Sequence, residues 1–316
     1  MQYGFGIDLG GTTVKLAYFS EEGALLDKWE IPTNTADGGS HILPDIARAV
    51  LCYLEEKKIS RDQIIGLGIG VPGPVLSDGT VNKCVNLGWG NLNIESSLSA
   101  LTGFPVKAGN DANVAALGEY WRGGGRGYET LVLATLGTGV GGGIILGGRI
   151  HTGAHGSGGE IGHIVLDRNE TERCNCGKYG CVEQYCSATG IVRMARKYLA
   201  SSDTPSTLRV IDDLTCKDLF EAGAAGDPAA LEILEQTYDR LAEFLANICC
   251  ILNPEAIVIG GGVSKAGQPL IDGIARHIGR YVFHAASGVD LRLATLGNDA
   301  GAYGAFKLVL DNHVSP

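Results

Sequence analysis

Apolar runs broken by glycine-rich turns set the rhythm of this chain. Tyr3–Leu9 is a β-rich run, Gly10-Gly11-Thr12 a turn and Val14–Phe19 a second run, which predicts strand, turn, strand. Ile42, Ile46, Ala49, Val50 and Tyr53 recur at helical spacing and predict a helix near His41–Lys58. Ile64–Val71 is a continuous apolar strand that stops at Pro72-Gly73-Pro74. Asn110-Asp111-Ala112-Asn113 opens a second helix that runs to about Trp121, and Gly123–Gly127 reads as a loop joining two domains. The strand–turn–strand plan then returns, with a strand over Thr130–Leu136, a turn over Gly137–Gly143 and a further strand beginning at Ile144–Leu146. Asp227-Pro228 pairs an N-cap with proline at the first helical position and predicts a long helix that Asn253-Pro254 ends. Ile257–Ile259 is a strand running into Gly260-Gly261-Gly262 and another helix, and a final helix spans Ala300 to about Leu310.

Composition narrows the class. A chain of 316 residues exceeds one ordinary core, so two domains are expected. Its 48 glycines are about twice the usual share and cluster between apolar runs, which suits tight loops that hold phosphate. A formal net charge of −10 argues against a nucleic-acid binder. No apolar stretch reaches the ~20 residues that span a bilayer, so no membrane contact is expected. The N-terminus lacks the basic-then-apolar layout of a signal peptide. Nine cysteines are an odd number without an export signal, so Cys52, Cys84, Cys186, Cys216, Cys249 and Cys250 are expected as reduced thiols in the cytoplasm. Asn169-Glu170-Thr171 matches a glycosylation sequon, which carries no meaning without export.

Two stretches match the dinucleotide pattern G-x-G-x-x-G, at Gly68/Gly70/Gly73 and Gly137/Gly139/Gly142. The first contains Pro72, and the second leads into a β-run where the fingerprint needs a helix. No P-loop pattern occurs. The Asp8-Leu9-Gly10-Gly11-Thr12-Thr13 turn suits nucleotide phosphates better: glycines allow close approach, amides point at oxygen and threonine hydroxyls add donors. Asp8 could orient a magnesium ion through water. Taken alone this turn is equally an ordinary glycine hairpin; beside the second glycine–threonine turn it reads as one of two grips on phosphate. Asn110-Asp111 is either a helix N-cap or the seat of a general base for a hydroxyl attacking phosphorus.

Cys174, Cys176 and Cys181 stand at C-x-C-x4-C spacing, with His163 eleven residues before the first. Three thiolates and an imidazole form a Cys3His set suited to tetrahedral zinc, and four protein ligands leave no open position, so a structural ion is expected. Glu160 and Glu183 bracket the set. His163 could hold the ion through one ring nitrogen and present the other to a ligand, which makes the zinc a brace for a recognition loop. His151 and His155 read as loop histidines.

These residues resemble the ROK family of bacterial sugar kinases and repressors, within the actin-like ATPase superfamily. The resemblance covers almost the whole chain and rests on Asp8–Thr13, Asn110-Asp111, Gly137–Gly143, Gly159–His163, Cys174–Cys181 with Glu183, and Gly260–Gly262. It implies a two-lobed α/β fold (actin-like, ribonuclease H-like) with an interlobe cleft. The lobes would be residues 1–122, joined by a C-terminal helix at about 300–316, and 123–299, which carries the zinc loop. Repressor members add an N-terminal helix-turn-helix, not expected here because the phosphate turn begins within ten residues of Met1. The run Ala154–His163 is most similar to the glucokinase version, with His155 a departure.

The resemblance further implies ATP-dependent phosphorylation of glucose at its 6-hydroxyl. Asp111 would be the base, and Asn110, Glu160, His163 and Glu183 would be sugar ligands. ATP with magnesium would meet Asp8, Gly10, Gly11, Thr12, Thr13, Lys15, Gly137, Thr138, Gly139, Gly142, Gly261 and Gly262. Assembly as a homodimer or homotetramer is implied as well. A kinase for N-acetylglucosamine, mannose or fructose, and a sugar-sensing regulator without turnover, are the alternatives.

Overall fold

In the computed structural model, which describes residues 1–314, the chain divides into two compact units. The first comprises Met1–Gly127, Gly143–Gly159 and the stretch from Leu296; the second comprises Tyr128–Gly142 and Glu160–Thr295. The sequence boundaries at 122 and 300 differ from this division chiefly at Gly143–Gly159, which belongs with the first unit. Gly143 shows why: a Cβ there would lie 2.5 Å from the Cβ of Ala116, so only glycine lets the strand press against that helix.

The first unit begins with β1 (Tyr3–Leu9), β2 (Thr13–Ser20) and β3 (Leu25–Pro32), followed by the single turn α1 (Ala36–Gly39) and α2 (Ile42–Lys57). Then come β4 (Ile64–Val71), the small hairpin β5 (Thr80–Cys84) and β6 (Trp89–Asn93), α3 (Ile94–Thr102), β7 (Val106–Asn110) and α4 (Asp111–Arg122). The sheet order is β3-β2-β1-β4-β7, antiparallel in β1–β2–β3 and parallel in β1–β4–β7. Phe5, Ile7, Leu67 and Ile69 of the parallel strands are fully buried, as are Ile42, Ile46 and Val50 of α2 at their helical spacing. Register places Asp8 opposite Gly70 and Val71 opposite Asn110. Asp8, the Pro72-Gly73-Pro74 turn and Asn110 therefore share the carboxyl ends of adjacent parallel strands, where open α/β sheets form ligand sites.

The second sheet contains β8 (Leu131–Leu136), β9 (Val140–Leu146) and β10 (Arg149–Ile150). The helices α5 (Glu183–Cys186), α6 (Ala188–Ser201), α7 (Cys216–Ala224) and α8 (Pro228–Leu252) follow, then β11 (Ala256–Gly260), α9 (Gln268–Ile278) and β12 (Asp290–Leu293). Strand order is β10-β9-β8-β11-β12, with β8, β11 and β12 parallel. The long helix expected after Asp227-Pro228 is α8. Asp227 accepts from the Ala230 N–H at 3.0 Å at its start, and Asn253 ends it in the left-handed region at φ 44°. The second glycine turn is shorter than expected, because β9 already begins at Val140 and takes Gly141–Gly143 into the strand.

The chain returns to the first unit as α10 (Ala300–Val314), four residues longer than the reading to Leu310. Ser315 and Pro316, included in the sequence estimate of this helix, lie outside the described residues. Ala302, Phe306 and Val309 pack with Ala17, Phe19 and Ile65 on the sheet face opposite α2. A Cβ on Gly68 would lie 1.6 Å from the Ala305 carbonyl oxygen, so helix and strand meet backbone to backbone.

Candidate functional site

Asn110 and Asp111 sit where β7 turns into α4. Asn110, with φ −62° and ψ 144°, is the N-cap: its Oδ1 accepts from the Ala112 and Asn113 amides at 3.1 and 3.2 Å. Capping therefore falls to Asn110 rather than Asp111, the first helical residue. The Asn110 Nδ2 donates to Asp111 Oδ1 at 2.9 Å and to the Gly73 carbonyl at 3.1 Å, tying the carboxylate to the Pro-Gly-Pro turn. Asp111 is exposed at the first position of α4.

The first glycine turn is closed by its own unit. Gly10 N–H donates to the Thr13 carbonyl at 3.0 Å, Thr33 Oγ1 donates to the Gly10 carbonyl at 2.7 Å, and Thr33 N–H donates to the Thr12 carbonyl at 2.9 Å. Gly11 and Thr12 stay exposed at the tip. Asp8 pairs at 3.3 Å with Lys15, its direct partner across the β1–β2 ladder, and Lys15 also donates to the Asn298 carbonyl at 3.4 Å. A cavity of about 660 Å³ borders Asn110, but it runs along β7 toward Lys107 and Lys307 and its wall does not include Asp111.

In the second unit the short helical turn Ile161–His163 and the loop that leads from it to α5 gather the ligand set. The ligand atoms of His163, Cys174, Cys176 and Cys181 all lie within 4.8 Å of one another. The Sγ atoms of Cys176 and Cys181 are 3.6 Å apart. That is close to the ~3.8 Å edge of a tetrahedron built on ~2.3 Å Zn–S bonds. His163 Nδ1 is buried, and the protein offers it no hydrogen-bond partner; a metal ion on that nitrogen would satisfy it. Burial pushes the Cys181 thiol up to about 12 and raises Cys174, whereas a backbone hydrogen bond from Lys178 lowers Cys176. Thiols so crowded need a cation to ionise together. The donor set fits zinc.

Glu160 precedes the short turn that carries His163, and its Oε2 lies 3.9 Å from His163 Nε2. The three-residue spacing brings these two together, so that Nε2 faces the carboxylate while the buried Nδ1 is left for an ion. Glu183 opens α5. Its Oε2 accepts from the Val140 N–H at 3.0 Å, and its Oε1 accepts from Cys174 Sγ at 3.7 Å. Glu183 thus joins the cysteine loop to the second glycine turn. That turn, Gly137–Gly139, is held further by Ala188 N–H on the Gly137 carbonyl (2.8 Å) and Thr189 Oγ1 on the Thr138 carbonyl (2.7 Å). Gly142, expected in the turn, is instead buried inside β9.

Gly261 adopts φ +81° at the end of β11, and a Cβ there would lie 2.6 Å from the Leu136 backbone. Gly262 follows and lines a cavity of about 900 Å³ walled by α7, α8 and α9, including Phe220, Leu234 and Tyr238. No short motif announced these residues, because they come from three helices far apart in sequence; their signal is only the apolar face each helix presents.

The ROK family model matches residues 4–312. A glucokinase of Halalkalibacterium halodurans is 45% identical over 96% of this chain and 94% of its own length. An N-acetylgalactosamine kinase of a Shewanella species is 31% identical over 95% of this chain and 94% of its own. A ROK family glucokinase from Streptomyces griseus, solved with glucose and AMPPNP, aligns with a TM-score of 0.76 and 31% identity, covering 97% of this chain and 98% of that one.

Proposed function

Because the chain belongs to the ROK family, we propose that it transfers the γ-phosphoryl group of ATP to the 6-hydroxyl of glucose, with Asp111 as the general base. One observation carries the assignment of the base: Asn110 holds the Asp111 carboxylate at 2.9 Å and is itself fixed to Gly73, so a reactive oxygen is aimed from a rigid helix start. Asp111 takes the hydroxyl proton as O6 forms its bond to the γ-phosphorus. The bond from that phosphorus to the bridging oxygen breaks, and ADP leaves with the electron pair. Little covalent chemistry is left for the protein, so positioning and charge compensation do the rest.

The exposed tips of the two turns, Gly11-Thr12 and Thr138, suit phosphate oxygens through backbone amides and threonine hydroxyls. Asp8 and Lys15 suit the magnesium–phosphate part of MgATP. The cavity beside Gly261 and Gly262 suits the nucleoside, with Phe220 and Tyr238 supplying apolar walls. Glu160, Glu183, Asn110 and the Nε2 of His163 would recognise hydroxyls, since a sugar offers little else to bind. His163 Nδ1, Cys174, Cys176 and Cys181 would hold zinc, whose contribution is to fix the loop; four protein ligands leave it no site to activate a nucleophile. Of the alternatives, turnover on another hexose keeps every role except the sugar contacts. Homodimeric or homotetrameric assembly and a cytoplasmic location remain expectations from the resemblance.

Substitution Asp111→Ala tests the base. ADP release is expected to fall by about a thousandfold or more, with glucose affinity by calorimetry changed by less than about tenfold. Near-normal turnover in that variant would refute the assignment.

A further inference from the structure

We propose that Arg193, on α6, is a positioning residue that clamps the cysteine loop from its helix side, pre-setting the metal ligands and Glu183. Its guanidinium reaches both ends of the loop at once. On the entry side Nη2 donates to Glu170 Oε2 at 2.7 Å and Nη1 to Glu172 Oε2 at 3.0 Å. On the exit side Nη2 and Nε donate to the carbonyl of Gln184, the residue after Glu183, at 3.0 and 3.3 Å. A planar fork with five donors can satisfy this pattern; an ammonium cannot.

Glu170 is the hub. Its side chain is only 6% exposed. Oε2 also accepts from the Tyr185 hydroxyl at 2.8 Å, and Oε1 accepts from the Thr171 and Glu172 amides at 3.0 Å. The guanidiniums of Arg193 and Arg240 each lie over the Tyr185 ring, 5.3 Å from its centroid, and Arg240 pairs with Asp167 at 3.6 Å. Gln184 adds a last tie: its Nε2 donates to the Glu172 carbonyl at 2.9 Å, and its Oε1 accepts from the Cys181 amide at 3.1 Å. None of Arg193, Glu170, Glu172, Gln184, Tyr185 and Arg240 is a metal ligand or a proposed substrate contact. Together they lock residues 167–172 against 181–185 by charge-assisted bonds. A loop locked at its base spends less ordering entropy when an ion or a sugar arrives.

Only the activity arm of the test rests on the glucose-kinase reading; the zinc arm does not. Zinc affinity is measured by chelator competition on the full chain, and KM and kcat are measured with glucose. Arg193→Ala is expected to weaken zinc binding and raise glucose KM by about tenfold each, with kcat changed by less than about threefold. Arg193→Lys restores part of both, because lysine reaches one carboxylate but not the Gln184 carbonyl as well. Tyr185→Phe, which removes one hydroxyl bond and keeps the ring, weakens zinc binding about threefold. A folded Arg193→Ala protein with wild-type zinc affinity and wild-type glucose KM overturns the proposal. Should that variant not fold, unchanged zinc affinity in Tyr185→Phe overturns it. A wild-type protein that binds zinc tightly yet phosphorylates no hexose sinks the kinase reading, and the zinc arm still decides the clamp.

Discussion

The two glycine–threonine turns look alike in sequence and are held in different ways. Gly10–Thr13 closes on itself and on the neighbouring strand through Thr33, so its shape depends on the sheet of its own unit. Gly137–Gly139 leans on the segment that follows the cysteines: Glu183 takes the Val140 amide, and Ala188 and Thr189 hold the Gly137 and Thr138 carbonyls. A glycine–threonine turn can thus be a local product of strand pairing or a dependent of a distant loop. In this chain the dependent turn shares Glu183 with the proposed metal site, since that carboxylate meets both the Val140 amide and the Cys174 thiol.

The largest effect that could break this contrast comes from the metal site. Cys176→Ser is expected to weaken zinc binding by more than about a hundredfold and to raise glucose KM. Hydrogen exchange should quicken at residues 137–140 while residues 10–13 keep their protection. Equal loosening of both turns would erase the distinction between them.

A pair of alanine substitutions sharpens it next. A Cβ at position 139 would lie 2.3 Å from Glu183 Oε2, whereas at Gly11 nothing lies within 4 Å. Gly139→Ala should therefore cost about 1–3 kcal/mol of stability and displace Glu183, while Gly11→Ala stays within about 0.5 kcal/mol by denaturant melts. The reverse order would show that Glu183 does not buttress the turn.

The smallest expected effect is in acid. Hydrogen bonding from Arg193 lowers Glu170 to about 2. A carboxylate depressed in the fold contributes stability that is present above its unfolded value of about 4.3 and is lost as pH falls through about 2. Protection of the second turn should decline over that window, that of the first should not, and Glu170→Gln should flatten the decline. A decline unchanged in that variant would remove Glu170 from the account.

Much of this was legible in the residues. The strands over Tyr3–Leu9 and Ile64–Val71 and the helix after Asp227-Pro228 follow from unbroken apolar runs and from turn and cap chemistry acting locally. The cysteine set is legible because its spacing is chemical rather than structural. Less accessible was the length of the second turn, since glycine suits turn and strand alike and only the approach of Ala116 decides for strand at Gly143. The choice of Asn110 over Asp111 as N-cap was hidden for a similar reason: both side chains can cap, and backbone angles settle which does. Glu170 read as no more than part of a sequon, because its partners Arg193 and Tyr185 lie 23 and 15 residues away. The walls of the cavity beside Gly262 were invisible until three helices had packed.

The measurement closest to the central claim is kcat/KM for glucose, N-acetylglucosamine, mannose and fructose with MgATP, read by coupled ADP release. Glucose is predicted to exceed each of the others by at least about tenfold, with the phosphate on its 6-oxygen. A tenfold preference for another hexose, or no turnover on any of them while sugar still binds, would contradict it.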